Sequence, residues 1–206
     1  MSIAYRPATP GDIDGIVTVF LDCWRGSYRA VLPAHLIDAM TDAQAHALWT
    51  RVLAEAAPGE MLVAERDADA MADTAAESDA GVAPGVSDAS GATAVLGAAA
   101  PQIIGVTRFV AGPDGHGAVH SLYVSPLAQG TGIGSHLLRA AGDALAEAGM
   151  TTAGLWVFRD NAPSLAFYQR QDWTPTGETR VQAEFGEPEL GLARQLTAAA
   201  NSGSVS

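Results

Sequence analysis

The chain has 206 residues, enough to bury a full core, and carries 23 acidic against 11 basic side chains, all of the latter arginine, for a formal charge of −12. That balance argues against a nucleic-acid partner, because phosphate backbones are bound by clustered cations, and it favours a cationic acceptor. A lone cysteine, Cys23, excludes an internal disulfide, and the absence of any apolar run long enough to cross a bilayer points to a cytoplasmic chain with no membrane partner.

In chain order, a first strand is expected around Ala4-Tyr5-Arg6. Thr9-Pro10-Gly11-Asp12 then has the chemistry of a helix start, with Thr9 as cap, Pro10 at the first position and Asp12 returning the cap. Ile13, Ile16, Val17, Phe20, Leu21 and Trp24 fall on one face of that helix, which the pattern carries to about Arg25. Cys23 reads as a half-buried residue of this helix and not as a catalytic thiol. Pro33 opens a short second helix. Thr41-Asp42-Ala43-Gln44 has capping-box spacing for a third, which stops near Pro58-Gly59. Met61 to Arg66 and Gln102 to Val110 read as strands. The stretch from Asp67 to Ala100 between them is Ala, Asp, Gly, Ser and Pro with few large apolar residues, which predicts a disordered insertion in a hairpin. After the turn Gly112-Pro113-Asp114-Gly115, a strand over Val119 to Val124 ends at Pro126, and a helix with its apolar face on Ile133, Leu137, Leu138 and Leu145 follows, capped near Gly149. Ala153 to Phe158 is a strand, Asn161 to Arg170 a short helix, and strands near Trp173 to Val181 and Leu190 to Leu196 complete the pattern. Residues 197–206 read as a flexible tail.

The informative stretch is the junction between the strand ending at Val124 and the helix starting at Ile133. The first turn of a helix presents backbone N–H groups without intrahelical partners at the positive end of its dipole, so an anion belongs there. Gly130, Gly132 and Gly134 remove side chains that would hold a phosphate away and permit backbone angles other residues avoid. The dinucleotide fingerprint fails, because its last glycine is Ser135 here, and the P-loop fails for want of any lysine. Gln129-x-x-Gly132-x-Gly134, directly after Leu122-Tyr123-Val124-x-Pro126, resembles the coenzyme A loop of the GNAT superfamily of acyl-CoA-dependent N-acyltransferases. A second segment, Asn161 followed by Phe167-Tyr168, matches the same superfamily in the same order.

The resemblance covers the chain apart from the insertion and tail. It implies a mixed α/β fold, a central mixed β-sheet flanked by helices, over residues 1–196 as one domain. It also implies an N-acetyltransferase that moves an acetyl group from acetyl-CoA to a primary amine, on a small molecule or a protein, by direct transfer through a tetrahedral intermediate, with no metal. A homodimer is compatible with this reading. The implied coenzyme site comprises Leu122, Tyr123 and Val124 on the strand, Gln129, Gly130, Thr131, Gly132, Ile133, Gly134 and Ser135 in the loop and first turn, and Asn161 beyond. The Val124 N–H, left unpaired where the central strands splay, is the implied oxyanion donor. Trp24 and Tyr28 resemble the acceptor-pocket wall. Tyr168 is the implied general acid, since a phenol of pKa ~10 can donate to a thiolate whose conjugate acid lies near ~8.5.

An alkylammonium of pKa ~10.4 must lose a proton before it attacks, so a base or a water relay is also required. The superfamily often places a glutamate on the central strand, where this chain has Ala118. His120 has a suitable pKa range, and simple alternation puts it on the face of Leu122 and Val124. A second departure is Asp172-Trp173 in place of the usual Gly-Phe after Tyr168; aspartate tolerates the left-handed region that glycine would occupy. Two other readings share the coenzyme site: a regulatory acetyl-CoA-binding module without turnover, and an acyltransferase that uses another acyl-CoA.

Overall fold

The computed structural model describes residues 2–67, 101–183 and 185–197. Seven strands form one sheet: β1 (Ile3–Pro7), β2 (Met61–Arg66), β3 (Gln102–Ala111), β4 (His116–Val124), β5 (Thr152–Phe158), β6 (Thr174–Val181) and β7 (Pro188–Gln195), in the order β1-β2-β3-β4-β5-β7-β6. All neighbours are antiparallel except β4 and β5, the one parallel pair. Among the described residues the helices are α1 (Ile13–Arg25), α2 (Ala34–Ala39), α3 (Asp42–Glu55), α4 (Ile133–Glu147) and α5 (Ala162–Gln169). Among the described residues, no helix is long and apolar enough to cross a membrane. The expected insertion over 67–100 lies, apart from Asp67, outside the described residues, as does the tail beyond Thr197.

The amphipathic faces explain the layering. Ile16, Val17, Phe20 and Trp24 of α1 bury with Trp49 of α3 against Met61, Val63 and Val106, so α1 to α3 cover one face of the sheet. Leu138, Ala141 and Leu145 of α4 bury with Phe109, Val119, Ala153 and Leu155 on the other face. The helix ends follow their caps. α1 is entered through one tight turn over Pro10–Asp12, so regular helix begins at Ile13, later than the cap alone suggests. At α3, Gln44 N–H donates to Thr41 Oγ1 (3.2 Å) while Thr41 N–H donates to Gln44 Oε1 (2.9 Å). α4 ends with Gly149 at φ 86°, its N–H on the Ala146 carbonyl and the Met150 N–H on that of Leu145, which satisfies two otherwise orphaned acceptors. Asp172 takes φ 62°, filling the position of the superfamily's glycine, and delivers Trp173 into the core at 2% exposure.

Asp12 ties this frame together. Its carboxylate accepts from Arg6 Nη1 and Nη2 (2.8 and 2.7 Å) and from Thr9 N–H (2.7 Å), while Arg6 Nε reaches Glu65 on the neighbouring strand (2.6 Å). The Arg6 guanidinium, assisted by Thr9 and opposed by burial, holds the Asp12 carboxyl at about 2, down from 3.8. A carboxyl whose pKa is depressed on folding stabilises above its unfolded pKa and loses that contribution as pH falls. Asp12→Asn is expected to cost about 2 kcal/mol at pH 7, measured by urea unfolding, with the gap to the parent chain closing between pH 4 and pH 2.

Candidate active site

The site is built where β4 and β5 part. Their parallel pairing consists of His116↔Thr152, Gly117↔Ala153 and Ala118↔Gly154 and goes no further. On its other edge β4 stays paired with β3 as far as Gly105↔Val124, and the Ser125 N–H donates to the Ile104 carbonyl at 2.9 Å. In an antiparallel ladder that combination makes Val124 a non-hydrogen-bonded member, so its own N–H and C=O turn toward β5. No strand pairs there. The Val124 carbonyl instead accepts from Cys23 Sγ–H (3.2 Å) and Gln129 Nε2 (3.1 Å), and its N–H opens into the gap.

One side of the gap is a cavity of about 670 Å³ lined by Val124, Gln129, Gly130, Gly132, Gly134 and Ser135, with Asn161, Phe167 and Tyr168 opposite. Gly130 and Gly132 take φ 78° and 88°, and a Cβ on either would meet nothing within 4 Å. Glycine is required there by backbone angle. Gly134 has ordinary helical angles, contrary to the expectation that all three glycines serve special conformations. A Cβ on Gly134 would sit 3.4 Å from Phe167 and 3.5 Å from Val124, ordinary contact distances, so neither backbone angle nor space demands glycine there. The first helical bond of α4 runs from His136 N–H to the Gly132 carbonyl (3.0 Å), which leaves the Ile133, Gly134 and Ser135 N–H groups without intrahelical acceptors beside the cavity. Thr131 Oγ1 closes the turn on the Ala128 carbonyl (2.7 Å) and the Ile133 side chain is core, and neither residue lines the cavity. Asn161 is 8% exposed, and its Oδ1 accepts from Ser164 N–H (3.2 Å), so it caps α5 while facing the cavity.

A second cavity, of about 730 Å³, lies over the β4-β5-β7-β6 part of the sheet and contains Trp24, His120, Trp156, Phe158, Arg180 and Glu189 in its walls. Tyr28, Leu122, Tyr123, Asn161, Ser164 and Tyr168 line both cavities. The two spaces therefore share a wall that includes Tyr168. Trp24 is at once core, 4% exposed, and wall, with its ring 5.6 Å from that of Tyr28.

The environment of each titratable group follows from burial. Burial, with Tyr28 nearby, raises the Tyr168 hydroxyl well above its ordinary value, so it stays protonated. Burial likewise pushes the Tyr28 hydroxyl up to about 12 and raises that of Tyr123 well above its ordinary value. Cys23 is fully buried, not half-buried as the helical pattern suggests, and burial pushes its thiol up to about 11. His120 is lowered by partial burial and by the cationic Arg108 and Arg180, so it is neutral at pH 7.

The expected face of His120 needs correction. The β3–β4 register jumps from Arg108↔Ser121 to Phe109↔Val119, so His120 is the extra residue of a bulge. Leu122 and Val124 pack toward α4 with Ile133 and Leu137, whereas His120 is exposed in the second cavity. Glu189, buried in that cavity, was missed; its signal is Glu189-Leu190-Gly191-Leu192-Ala193, a charge on the small-residue face of an alternating strand. Removing the left-handed freedom at the loop gives a test: Gly132→Ala should lower stability by about 1–2 kcal/mol and, by tilting the first-turn amides, weaken coenzyme A binding in isothermal titration by at least about tenfold.

The acetyltransferase (GNAT) family model matches residues 64–173, more than half of the chain. Among curated proteins nothing matches. Among solved structures, the chain is similar to PaiA N-acetyltransferase from Thermoplasma acidophilum in complex with coenzyme A, at 16% identity and TM-score 0.60 over 93% of this chain and 98% of that one. It is similar to yncA from Salmonella typhimurium with its cofactor acetyl-CoA (16% identity, TM-score 0.59, all of both chains) and to ribosomal-protein-alanine N-acetyltransferase from Brucella melitensis (19%, TM-score 0.59, 94% and 99%). At these identities the likeness is one of fold, and it agrees with the mixed sheet and its flanking helices. Both the family match and the glycine loop within it lead to one assignment: the chain belongs to the GNAT acetyltransferase family.

Proposed function

We propose that the chain transfers an acetyl group from acetyl-CoA directly to a primary amine, with the coenzyme in the glycine-loop cavity and the acceptor in the cavity over the sheet. The observation that carries this reading is the wall shared by the two cavities, which includes Tyr168 and so borders both substrate spaces. The residues present fit the coenzyme: three orphaned first-turn amides and two left-handed glycines form a cradle for a pyrophosphate.

Each remaining requirement has a named group. The Val124 N–H faces the gap where negative charge develops on the carbonyl oxygen, and a fixed donor of this kind acts most strongly away from water. The Tyr168 hydroxyl keeps its proton until charge develops on the departing sulfur, then supplies it. His120, neutral and exposed to the acceptor cavity, accepts the proton of the incoming ammonium. Ala118, where the superfamily often has a glutamate, lines the same cavity but offers no base.

Tyr168→Phe keeps the ring that packs near Trp173 (centroids 6.2 Å apart) and removes only the hydroxyl. Turnover of a competent amine is expected to fall at least ~10²-fold while the acetyl-CoA dissociation constant stays within a few-fold. Wild-type turnover by the variant, with chemistry limiting, would remove the phenol from the mechanism.

The base predicts a pH profile. Because the His120 pKa is lowered from 6.5, the acid limb of kcat/KM should have its midpoint below 6.5, with activity lost as the imidazole is protonated. In His120→Ala that limb should disappear along with most of the rate, and a profile unchanged by the substitution would assign the proton to water.

A further inference from the structure

The acceptor cavity holds a buried carboxylate that the reaction scheme above does not use. Glu189 is 6% exposed, yet its Oε1 is not among the sealed polar atoms without a partner, and its two oxygens are served unequally. Arg180 Nε (2.6 Å) and Gln182 Nε2 (2.8 Å) both donate to Oε2, and among the described residues no donor reaches Oε1. An arginine present merely to neutralise a carboxylate commonly engages both oxygens with both arms of its fork. Arg180 instead lies with its guanidinium 4.4 Å from the centre of the Trp156 ring, which leaves the second oxygen for something else.

The surroundings state what that is. Phe158 and Phe185 meet edge to face at 5.6 Å, Tyr28 lies 6.0 Å from Phe158, and Trp24 lies 5.9 Å from Phe185. Together with Trp156 these rings line the cavity that Glu189 enters. Aromatic faces attract a cation, and their bodies bury apolar surface. An ammonium ion on an aromatic or apolar body satisfies both at once.

We propose that Glu189 is the acceptor-binding carboxylate, taking the substrate's ammonium group on its free oxygen, and that the acceptor is a primary amine carried on an aromatic or apolar body. This rests on the transferase reading, in which the same cavity receives the acceptor. Glu189 binds and orients the amine, and His120 remains the group that takes its proton.

The test uses the full chain saturated with coenzyme A, titrated at pH 7 with 2-phenylethylamine and with its neutral isostere 2-phenylethanol. The amine is expected to bind at least about tenfold more tightly than the alcohol. Glu189→Gln should erase that difference while leaving the alcohol and coenzyme A unchanged, and Arg180→Gln should preserve it. Equal binding of amine and alcohol to the wild-type chain, or no binding of the amine, overturns the proposal without any variant having to fold. So does an equal loss of amine affinity in both variants, the pattern of a purely structural ion pair. Failure to bind coenzyme A in the first place would instead refute the transferase reading on which this one rests.

Discussion

Parallel pairing between β4 and β5 ends after three residue pairs, and most of the functional architecture depends on that interruption. A backbone N–H or C=O turned toward a missing neighbour is costly when buried unless something else pairs with it. The carbonyl of Val124 is satisfied from two directions, by a helix thiol and by the side chain that opens the glycine loop. Its N–H faces open space. The sheet thus spends one ladder position to place a fixed donor beside a cleft flanked by two cavities. Because α4 and α1 pack on opposite faces of β3 and β4, the cleft is held open by the same core that holds the sheet together.

The net charge of −12 does not oppose an anionic coenzyme, because what the ligand meets is local. Asp67, Asp69, Asp73, Glu77, Asp79 and Asp88 fall in the Ala- and Asp-rich stretch 67–100, which contains no basic residue. The loop presents orphaned amides and the positive end of the α4 dipole at contact distance.

Local chemistry was legible in the sequence and long-range pairing was not. Thr9, Thr41, Asn161 and Gly149 announce helix ends because capping is settled within four residues, and Asp172 announces a left-handed turn for the same reason. The glycine loop was readable because strand, turn and helix follow one another directly. The insertion of β7 between β5 and β6 has no local signal, being decided by which strands bury one another. The bulge at His120 is a property of the register between two strands, invisible in either alone, and simple alternation therefore put the imidazole on the wrong face. Glu189 escaped for a related reason: whether an acid on a small-residue strand face meets solvent or a cavity depends on β5 and β6, which flank it.

Cys23 bears on how the acetyl group travels. It is a nucleophile type in the wall of the coenzyme cavity, beside the Val124 carbonyl, and a route through an acyl-cysteine would need it as thiolate. Burial pushes its pKa to about 11, and its S–H is committed to the Val124 carbonyl at 3.2 Å. At neutral pH the thiol is therefore protonated. Burial is what suppresses the nucleophile, and the hydrogen bond to Val124 steadies the peptide following it, on the strand that carries the proposed oxyanion donor. The proposed route, direct attack by the amine, asks nothing of the thiol beyond this fixed contact.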